Sequence, residues 1–365
     1  MHLPPPTLGL RIRPLTDDEH ALAWVARLPE LLTTFAAATP RALKQGARGS
    51  VWRARLGPKG RTRDVVLKCR PVRGLGQRLR VALRWSSLDR EALGAEMLVA
   101  ARIPTAQPLA LVTGQSVIAA ASREDRVRSQ CLISMALPGK SLLEHLRDRD
   151  LSLVDERHLC AEAGRLVAHF TALGLFNRDH KPSNLMVVPP TGQGSGSPSG
   201  SQPDRAPGLA LAVIDPRGVA RGKRPRQMLA SLMIEPLGVR CPPRRAVRAR
   251  VLHAYVSETI LGVQASALSD AESSSSPTEA FYRSLTSSDD QSREADSPVS
   301  EAGAQGSDEA STATPRIEPL PPAIERAAVK DLWRAIDAAI AAHGDPRPKD
   351  SPFPAGDGVN AGAGT

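Results

Sequence analysis

Alternation of apolar and polar residues in the N-terminal half of the chain predicts a β-sheet. The segments 50–56 and 64–69 are rich in apolar and β-branched residues, and the Gly/Pro-containing stretch 57–60 marks a turn between them. Two further apolar runs, 109–112 and 131–135, predict additional strands. The pattern therefore indicates a group of β-strands early in the chain, with a helical stretch between the second and third of them.

Helical spacing of apolar residues prevails in the rest of the sequence. Thr16-Asp17-Asp18-Glu19 has the pattern of a capping box and predicts a helix to about Leu28, followed by a second helical piece over 29–38. Apolar residues three and four apart predict helices over residues 86–102, 141–149, 153–173 and 323–343. We expect the last of these to dock on the body as a terminal helix; a partner-binding helix is the alternative.

Two segments lack the large apolar residues that a core requires. Residues 189–207 are rich in Gly, Ser and Pro, and residues 264–320 are Ser-rich and acidic, so both are predicted to be disordered, as is the tail 344–365. The prediction is an α+β main domain over 41–263. It is preceded by a helical extension over 1–40 and followed, after the acidic segment, by the amphipathic helix of 321–343.

The charge of the chain is unevenly distributed. The whole chain carries +10, but the stretch 270–320 has eleven acidic residues and three arginines, so the remainder carries +18. A basic body suggests an anionic partner such as a nucleotide, a phosphosugar, a membrane surface or a nucleic acid. General use of arginine by the source genome is an equally good explanation. Aromatic residues make up only 3% of the chain, so few bases could be stacked and nucleic-acid binding is disfavoured.

The cysteines and the hydropathy bear on location. The four cysteines are scattered without a CxxC pair, so we expect buried free thiols in a reducing compartment rather than a zinc site or a disulfide framework. No apolar N-terminal segment resembles a signal peptide, and no stretch has the apolar length that spans a bilayer. A cytoplasmic location is predicted, and this location is compatible with peripheral contact with the inner membrane.

The strongest chemical signal is a polar loop followed by an apolar run. Asp179, Lys181 and Asn184 precede the strand-like residues 185–188, and a second apolar run ends on Asp215. Phosphoryl transfer from ATP uses a carboxylate that orients the acceptor hydroxyl, a lysine that neutralises the moving phosphoryl group, and amide and carboxylate oxygens that hold Mg²⁺. The sequence therefore predicts Asp179 and Lys181 as catalytic residues, with Asn184 and Asp215 as Mg²⁺ ligands.

A second group of residues upstream could bind the nucleotide. Lys68 ends an apolar strand, where a lysine is costly without an anionic partner, and it could hold phosphates of ATP. Glu91 is the preferred ion-pair partner on the helix of 86–102, with Glu96 in reserve. A glycine-containing turn over residues 46–51 would let backbone N–H groups approach phosphates. Its candidate residues are Gly46, Gly49 and Val51.

Together these motifs resemble the protein-kinase-like superfamily. The resemblance covers roughly residues 41–260. It implies a bilobal fold with a small β-rich N-lobe over about 41–135, a helical C-lobe over about 136–263, and ATP in the cleft between them. The matching segments are Gly46 to Val51 for the glycine-rich loop, Val65 to Lys68 for the strand lysine, Arg178 to Asn184 for the catalytic loop, and Asp215 to Gly218 for the metal-binding motif.

Within that superfamily the chain looks most like the lipopolysaccharide core kinases, which phosphorylate Kdo or heptose. That likeness implies a sugar or glycolipid hydroxyl as acceptor, and an Arg-rich stretch over 221–226 could bind an acceptor that is already anionic. The catalytic-loop lysine, Lys181, is more typical of protein kinases, so Ser/Thr protein kinase activity and a catalytically silent scaffold remain alternatives. The likeness rests on the segments 90–92, 102–109, 221–232 and 248–255.

Overall fold

A computed structural model describes residues 10–37, 42–46, 49–57, 62–115, 128–189, 209–269 and 322–343. The described chain is mixed α+β, with a sheet in its N-terminal part and helices in its C-terminal part. Separate apolar cores form in the two parts. The arrangement is that of a bilobal kinase-like fold, as the sequence predicted.

The N-lobe is built on one antiparallel sheet of six strands in the order β1-β5-β6-β4-β3-β2. The two longest predicted strands form β3 and β4, which pair continuously over residues 50–56 and 63–69. Trp24 and Leu28 of the N-terminal helices are buried against this sheet, and the Trp24 Nε1–H donates to the Leu56 carbonyl at 3.2 Å. The strands are β1 (Arg11–Pro14), β2 (Lys44–Gly46), β3 (Gly49–Leu56), β4 (Arg63–Pro71), β5 (Pro108–Gln115) and β6 (Arg128–Met135).

Four helices accompany the sheet: α1 (Glu19–Ala26), α2 (Leu28–Ala37), α3 (Gly74–Ala82) and α4 (Ser87–Ala100). Helix α1 begins after Asp18, whose carboxylate accepts from two backbone N–H groups. Helix α4 joins the two lobes, because Leu88 packs with the sheet and Leu98 packs in the core of the C-lobe. Helix α3 is absent from the sequence prediction, since glycines at two of its nine positions weaken the helical signal.

The C-lobe is mainly helical. Helices α6 and α8 pack closely, and a Cβ at Gly164 of α6 would lie 2.2 Å from the Val251 carbonyl oxygen of α8. The terminal helix, α9, docks on the body as expected and buries Leu332 and Ile336. The helices are α5 (Leu142–Asp148), α6 (Leu153–Ala172), α7 (Pro225–Gly238), α8 (Arg245–Ser269) and α9 (Pro322–His343). The strands are β7 (Leu175–Asn177), β8 (Leu185–Val188), β9 (Ala210–Val213) and β10 (Val219–Arg221).

The predicted disordered segments fall largely outside the described residues. Apart from Pro189, the insert 189–207 lies outside them, and so does the tail 344–365. Helix α8 continues to Ser269, so it includes the first residues of the acidic segment predicted to begin at residue 264. The first residues of that segment include Ala and Leu, which favour helix and extend α8 beyond the boundary set by composition.

Two cysteines are paired, which corrects the expectation of four free thiols. Cys69 on β4 and Cys131 on β6 are cross-strand neighbours with Cα atoms 4.1 Å apart, and their sulfurs form a disulfide. The strand register, which spacing along the sequence does not reveal, places them side by side. Cys160 and Cys241 are free, and burial raises the pKa of the Cys160 thiol to about 12.

Reduction of this disulfide is expected to destabilise the N-lobe. The bond closes a loop across a separation of 62 residues, and loss of such a cross-link typically lowers the free energy of unfolding by about 2–4 kcal/mol. Urea unfolding with and without dithiothreitol measures the difference, with Cys241→Ser as the control variant. An unfolding midpoint that does not change on reduction would show that the cross-link contributes nothing.

Candidate active site

Lys68 lies at the centre of the sheet and faces α4. The register of β4 places it opposite Val51 on one side and Leu132 on the other. Its ammonium forms an ion pair with Glu91, whose side chain is only 5% exposed, and lies 3.7 Å from Oδ1 of Asp215. The structure therefore brings three of the predicted residues together, and the reserve candidate, Glu96, is exposed on another face of α4.

The charges in this cluster stabilise one another. Burial acts to lower the pKa of Lys68, but the carboxylates of Glu91 and Asp215 outweigh it and the pKa lies above its usual value. For Asp215 burial acts to raise the pKa, yet Lys68, Arg217 and Arg70 together bring it below its usual value. At neutral pH the site therefore presents an ammonium and a carboxylate side by side, which suits a phosphate and its counter-cation.

A close approach of helix and turn holds Asp215 in place. Asp215 has φ = 54°, a left-handed conformation that is strained for a residue other than Gly and is typical of functional sites. The short 3₁₀ turn Pro216–Gly218 follows, and a Cβ on Gly94 of α4 would lie 2.0 Å from the Pro216 carbonyl oxygen. Glycine at position 94 thus allows the helix that carries Glu91 to pack directly on the turn that carries Asp215.

The predicted catalytic loop packs against the same turn. The Arg178 N–H donates to the Gly218 carbonyl at 3.0 Å, and the Asn177 side-chain oxygen accepts from the Asp179 N–H at 3.0 Å. A Cβ at Gly218 would lie 2.7 Å from that Asn177 oxygen. Asn177 therefore shapes the loop, and Gly218 is required because the loop and the turn touch.

Asp179 lies between two guanidinium groups. Its Oδ2 is 3.6 Å from Arg217 and 3.9 Å from Arg178, and within the described part of the chain this buried oxygen accepts no hydrogen bond. Arg217 comes two residues after Asp215, so it links the predicted metal-binding motif to the predicted catalytic loop. Sequence reasoning missed this contact, because an arginine in a polar turn carries no distinguishing pattern.

Asn184 is fixed with its amide nitrogen turned inward. The Nδ2 donates to the backbone carbonyl of Asp179 at 2.9 Å, and the backbone carbonyl of Asn184 accepts from the Ile214 N–H at 2.8 Å. These bonds use the amide donor and leave the side-chain oxygen as a potential ligand. They also tie the segment before Asp215 to the loop that carries Asp179. The predicted catalytic and metal-binding residues, Asp179, Lys181, Asn184 and Asp215, therefore belong to one packed unit.

Glu235 of α7 is a buried anchor that the sequence analysis missed. Its carboxylate accepts from the Ser183 N–H at 2.7 Å and lies 3.3 Å from the Lys181 ammonium. A buried carboxylate without such partners would be costly, so this contact explains an acidic residue at that position. The available signal was a lone glutamate within the largely apolar stretch 228–237.

His180 has a structural rather than a chemical environment. Its ring is completely buried and meets Phe170 edge-on at 5.5 Å between centroids. Burial lowers the pKa of His180 to about 4, so the ring is neutral at physiological pH. This agrees with the view that Asp179, and not its neighbouring histidine, faces the chemistry.

The predicted phosphate turn is partly explained by packing. Gly49 has φ = 137°, and a Cβ there would lie 2.3 Å from the Cys69 carbonyl oxygen, so the close approach of β3 to β4 requires glycine. A Cβ on Gly46 would meet open space. Residues 47–48, at the tip of the hairpin, lie outside the described residues, and contact of this turn with phosphate stays a prediction.

The side chains fit a Mg²⁺ ion bound together with phosphates. Among the described residues no group of three or more His, Cys, Asp or Glu side chains could form a metal cage. Mg²⁺ commonly uses only one or two protein oxygens and completes its shell with phosphate and water. Asp215, which is 36% exposed, and the side-chain oxygen of Asn184 offer such a pair.

Comparisons with known proteins show similarity to solved structures and to no described family. No family model and no curated protein matches the chain. Among solved structures 1020 chains match, and one of them is a structure of WaaP in complex with acyl carrier protein. That match has 18% sequence identity and a TM-score of 0.40, and covers 75% of this chain and 99% of the other. The chemistry of the site is therefore inferred from its own residues.

Proposed function

We propose that the protein is an ATP- and Mg²⁺-dependent phosphotransferase whose acceptor is a hydroxyl group of a sugar or glycolipid. The observation that carries this proposal is the contact of Lys68 with both Glu91 and Asp215, in a unit packed directly on the Asp179 loop. Phosphoryl transfer is achieved mainly by positioning and by charge stabilisation, and this unit supplies both.

Each residue has a distinct role in the proposed reaction. Lys68, oriented by Glu91, would hold the α- and β-phosphates, and Asp215 with Asn184 would bind the Mg²⁺ ion. The ion would neutralise charge on the phosphates as transfer proceeds. Asp179 would orient the acceptor hydroxyl and accept its proton. Lys181 would stabilise charge on the moving phosphoryl group, and Glu235 would hold that lysine in place.

A basic surface near the loop supports an anionic acceptor. Strand β10 pairs with β7, which leads directly into the catalytic loop, and exposed basic residues follow β10 at the start of α7. The Arg224 guanidinium lies 4.9 Å from the centroid of the Phe176 ring, which holds it at this surface. The basic residues are Arg221, Lys223, Arg224 and Arg226. Guanidinium groups bind phosphate and carboxylate in a two-pronged manner, so a phosphorylated or acidic sugar would suit this surface.

The sequence resemblance to lipopolysaccharide core kinases agrees with a sugar acceptor. The alternative, a Ser/Thr protein kinase, is favoured by the presence of Lys181, since a lysine at this place in the catalytic loop is more typical of protein kinases. The contact of Lys181 with the buried Glu235 suits either acceptor. Both readings share the nucleotide chemistry and differ only in the acceptor. A silent scaffold would need neither Asp179 nor Lys181.

Nucleotide binding and phosphate transfer can be tested separately. Mg-ATP is expected to raise the melting temperature of the wild type, and Asp215→Asn is expected to lose that increase because the metal loses its carboxylate. Transfer of labelled γ-phosphate is then compared for lipopolysaccharide core oligosaccharide, a generic basic protein and buffer alone. Stabilisation without transfer, unchanged in Asp179→Ala, would favour a scaffold, and no stabilisation in any variant would contradict nucleotide binding altogether.

A further inference from the structure

Helix α3 exposes apolar side chains to an unusual degree. From Arg73 to Trp85 every residue is exposed except the half-buried Val81. Exposure reaches 82% for Leu75 and 69% for Trp85. Short helices in soluble proteins are normally stabilised by burying an apolar face against the body. Here the apolar residues of a nine-residue helix point away from it, which suggests that something else covers them.

The apolar residues form a single outward stripe. Leu75, Leu79 and Leu83 are four residues apart, so successive members lie about 40° apart around the helix. At 100° per residue around the helix axis, Arg78 lies on one side of this stripe and Arg80 on the other. Val81 lies on the opposite side, towards the protein. The leucines therefore lie on the face of the helix turned away from the protein, with a guanidinium group on each side of them.

Two arginine-lined cavities lie on either side of α3. One, of about 740 Å³, is lined by Arg70, Arg73, Arg80 and Arg90. The other, of about 410 Å³, is lined by Arg11, Arg13, Arg78, Arg84 and Arg128, with Asp89 as its acidic residue. Asp89 is paired with Arg13. Across the described ranges, no carboxylate contacts any of the four arginines nearest the stripe: Arg73, Arg78, Arg80 and Arg84.

We propose that α3 is a membrane-binding element that docks on an anionic phospholipid surface. Leu75, Leu79 and Leu83 would enter the boundary between headgroups and acyl chains, as the apolar faces of interfacial helices do. The flanking arginines would bind lipid phosphates, and Trp85 would sit at headgroup level, where Trp is enriched. The two cavities would hold headgroup phosphates beside the helix.

The combination of charges and apolar groups favours a membrane over other occupants. A soluble anion would use the arginines but leave the leucine stripe exposed. A second copy of this chain would place the same arginines against one another, which like-charge repulsion opposes. Only an anionic bilayer offers an apolar layer at the depth of the leucines and phosphates at the depth of the guanidinium groups. No helix among the described residues is long and apolar enough to cross a membrane.

The docking surface goes beyond the proposed phosphotransferase activity and does not depend on it. It would bring the cleft to an acceptor carried by a lipid. Because α3 lies between β4, which carries Lys68, and α4, which carries Glu91, the helix is attached to the nucleotide-binding side of the site. Lipid binding can be measured without ATP, so a failure of one proposal is distinguishable from a failure of the other.

Vesicle co-sedimentation tests the proposal. The full chain is expected to pellet with vesicles that mix phosphatidylcholine with phosphatidylglycerol, and to bind phosphatidylcholine alone about tenfold or more weakly. Leu75→Ser/Leu79→Ser and Arg78→Glu/Arg80→Glu should each reduce binding by about tenfold or more. All four side chains are exposed, so the variants should keep the fold, which circular dichroism verifies.

Matched variants on the C-lobe provide the controls. Leu153→Ser/Val154→Ser removes two apolar residues that are 59% and 72% exposed, and Arg245→Glu/Arg250→Glu reverses two exposed charges. Both should bind vesicles as the wild type does. The proposal is overturned if the wild type does not bind vesicles, or if the α3 and control variants behave alike. It is also overturned if light scattering shows a dimer that Leu75→Ser/Leu79→Ser dissociates, since the stripe would then join two copies.

Discussion

Asp179→Asn is expected to lower the rate of phosphoryl transfer by about 10²–10⁴-fold, the usual contribution of a positioned acid–base group. The amide keeps the shape of the carboxylate but cannot accept the proton of the acceptor hydroxyl. Nucleotide binding should persist, because Lys68 and Asp215 are untouched. Initial rates with saturating Mg-ATP, together with the melting temperature with and without nucleotide, measure the two effects separately.

The matched control for this variant is Asp331→Asn. Asp331 also lies beside an arginine, Arg334, but on the exposed surface of α9. It should leave both transfer and nucleotide binding unchanged. If Asp179→Asn retained full transfer, the proposed role of Asp179 would be wrong. If it lost nucleotide binding as well, the aspartate would be acting on the structure of the cleft instead.

The second large effect is expected from Lys68→Ala. It removes the partner of the buried Glu91 and leaves an uncompensated carboxylate, a change that typically lowers the free energy of unfolding by about 3–5 kcal/mol. Transfer should be abolished as well, because the phosphates lose their lysine. Urea unfolding and the transfer assay report the two consequences independently.

A double variant separates stability from chemistry. Lys68→Met/Glu91→Leu replaces the pair by apolar side chains, so it should recover most of the lost stability while transfer stays absent. The control is Arg55→Ala, which breaks an exposed ion pair with Asp64 on the same sheet and should lower stability far less than Lys68→Ala does, because solvent screens the pair. If Lys68→Ala and Arg55→Ala lowered the free energy of unfolding equally, the buried pair would contribute no more to stability than the exposed one.

Much of the fold could be predicted because local patterns determine it. The strands around Lys68 and the helix that carries Glu91 follow from apolar periodicity. Lys68 and Glu91 lie within these elements, whereas Asn184 and Asp215 lie next to the short strands β8 and β9. The choice of Glu91 over Glu96 was also correct. Helical geometry allows only one of two residues five apart to face the sheet.

What could not be predicted depends on contacts between distant segments. Glu235 reaches Lys181 across more than fifty residues, and Arg217 reaches Asp179 only after the chain has folded back. The Cys69–Cys131 bond depends on strand register, which turns and bulges set and which composition does not encode. Helix α3 was not predicted because glycines at two of its nine positions weaken the helical signal.

The contact between Gly94 and Pro216 has a consequence for how the protein could be regulated. Many regulated enzymes are inactive while one helix is displaced from an otherwise intact site. Here such a displacement would also move the Asp215 turn, since the backbones of the helix and the turn are in contact. The cleft should therefore be assembled as soon as the chain folds. Control over its output would then rest on when and where the acceptor meets it.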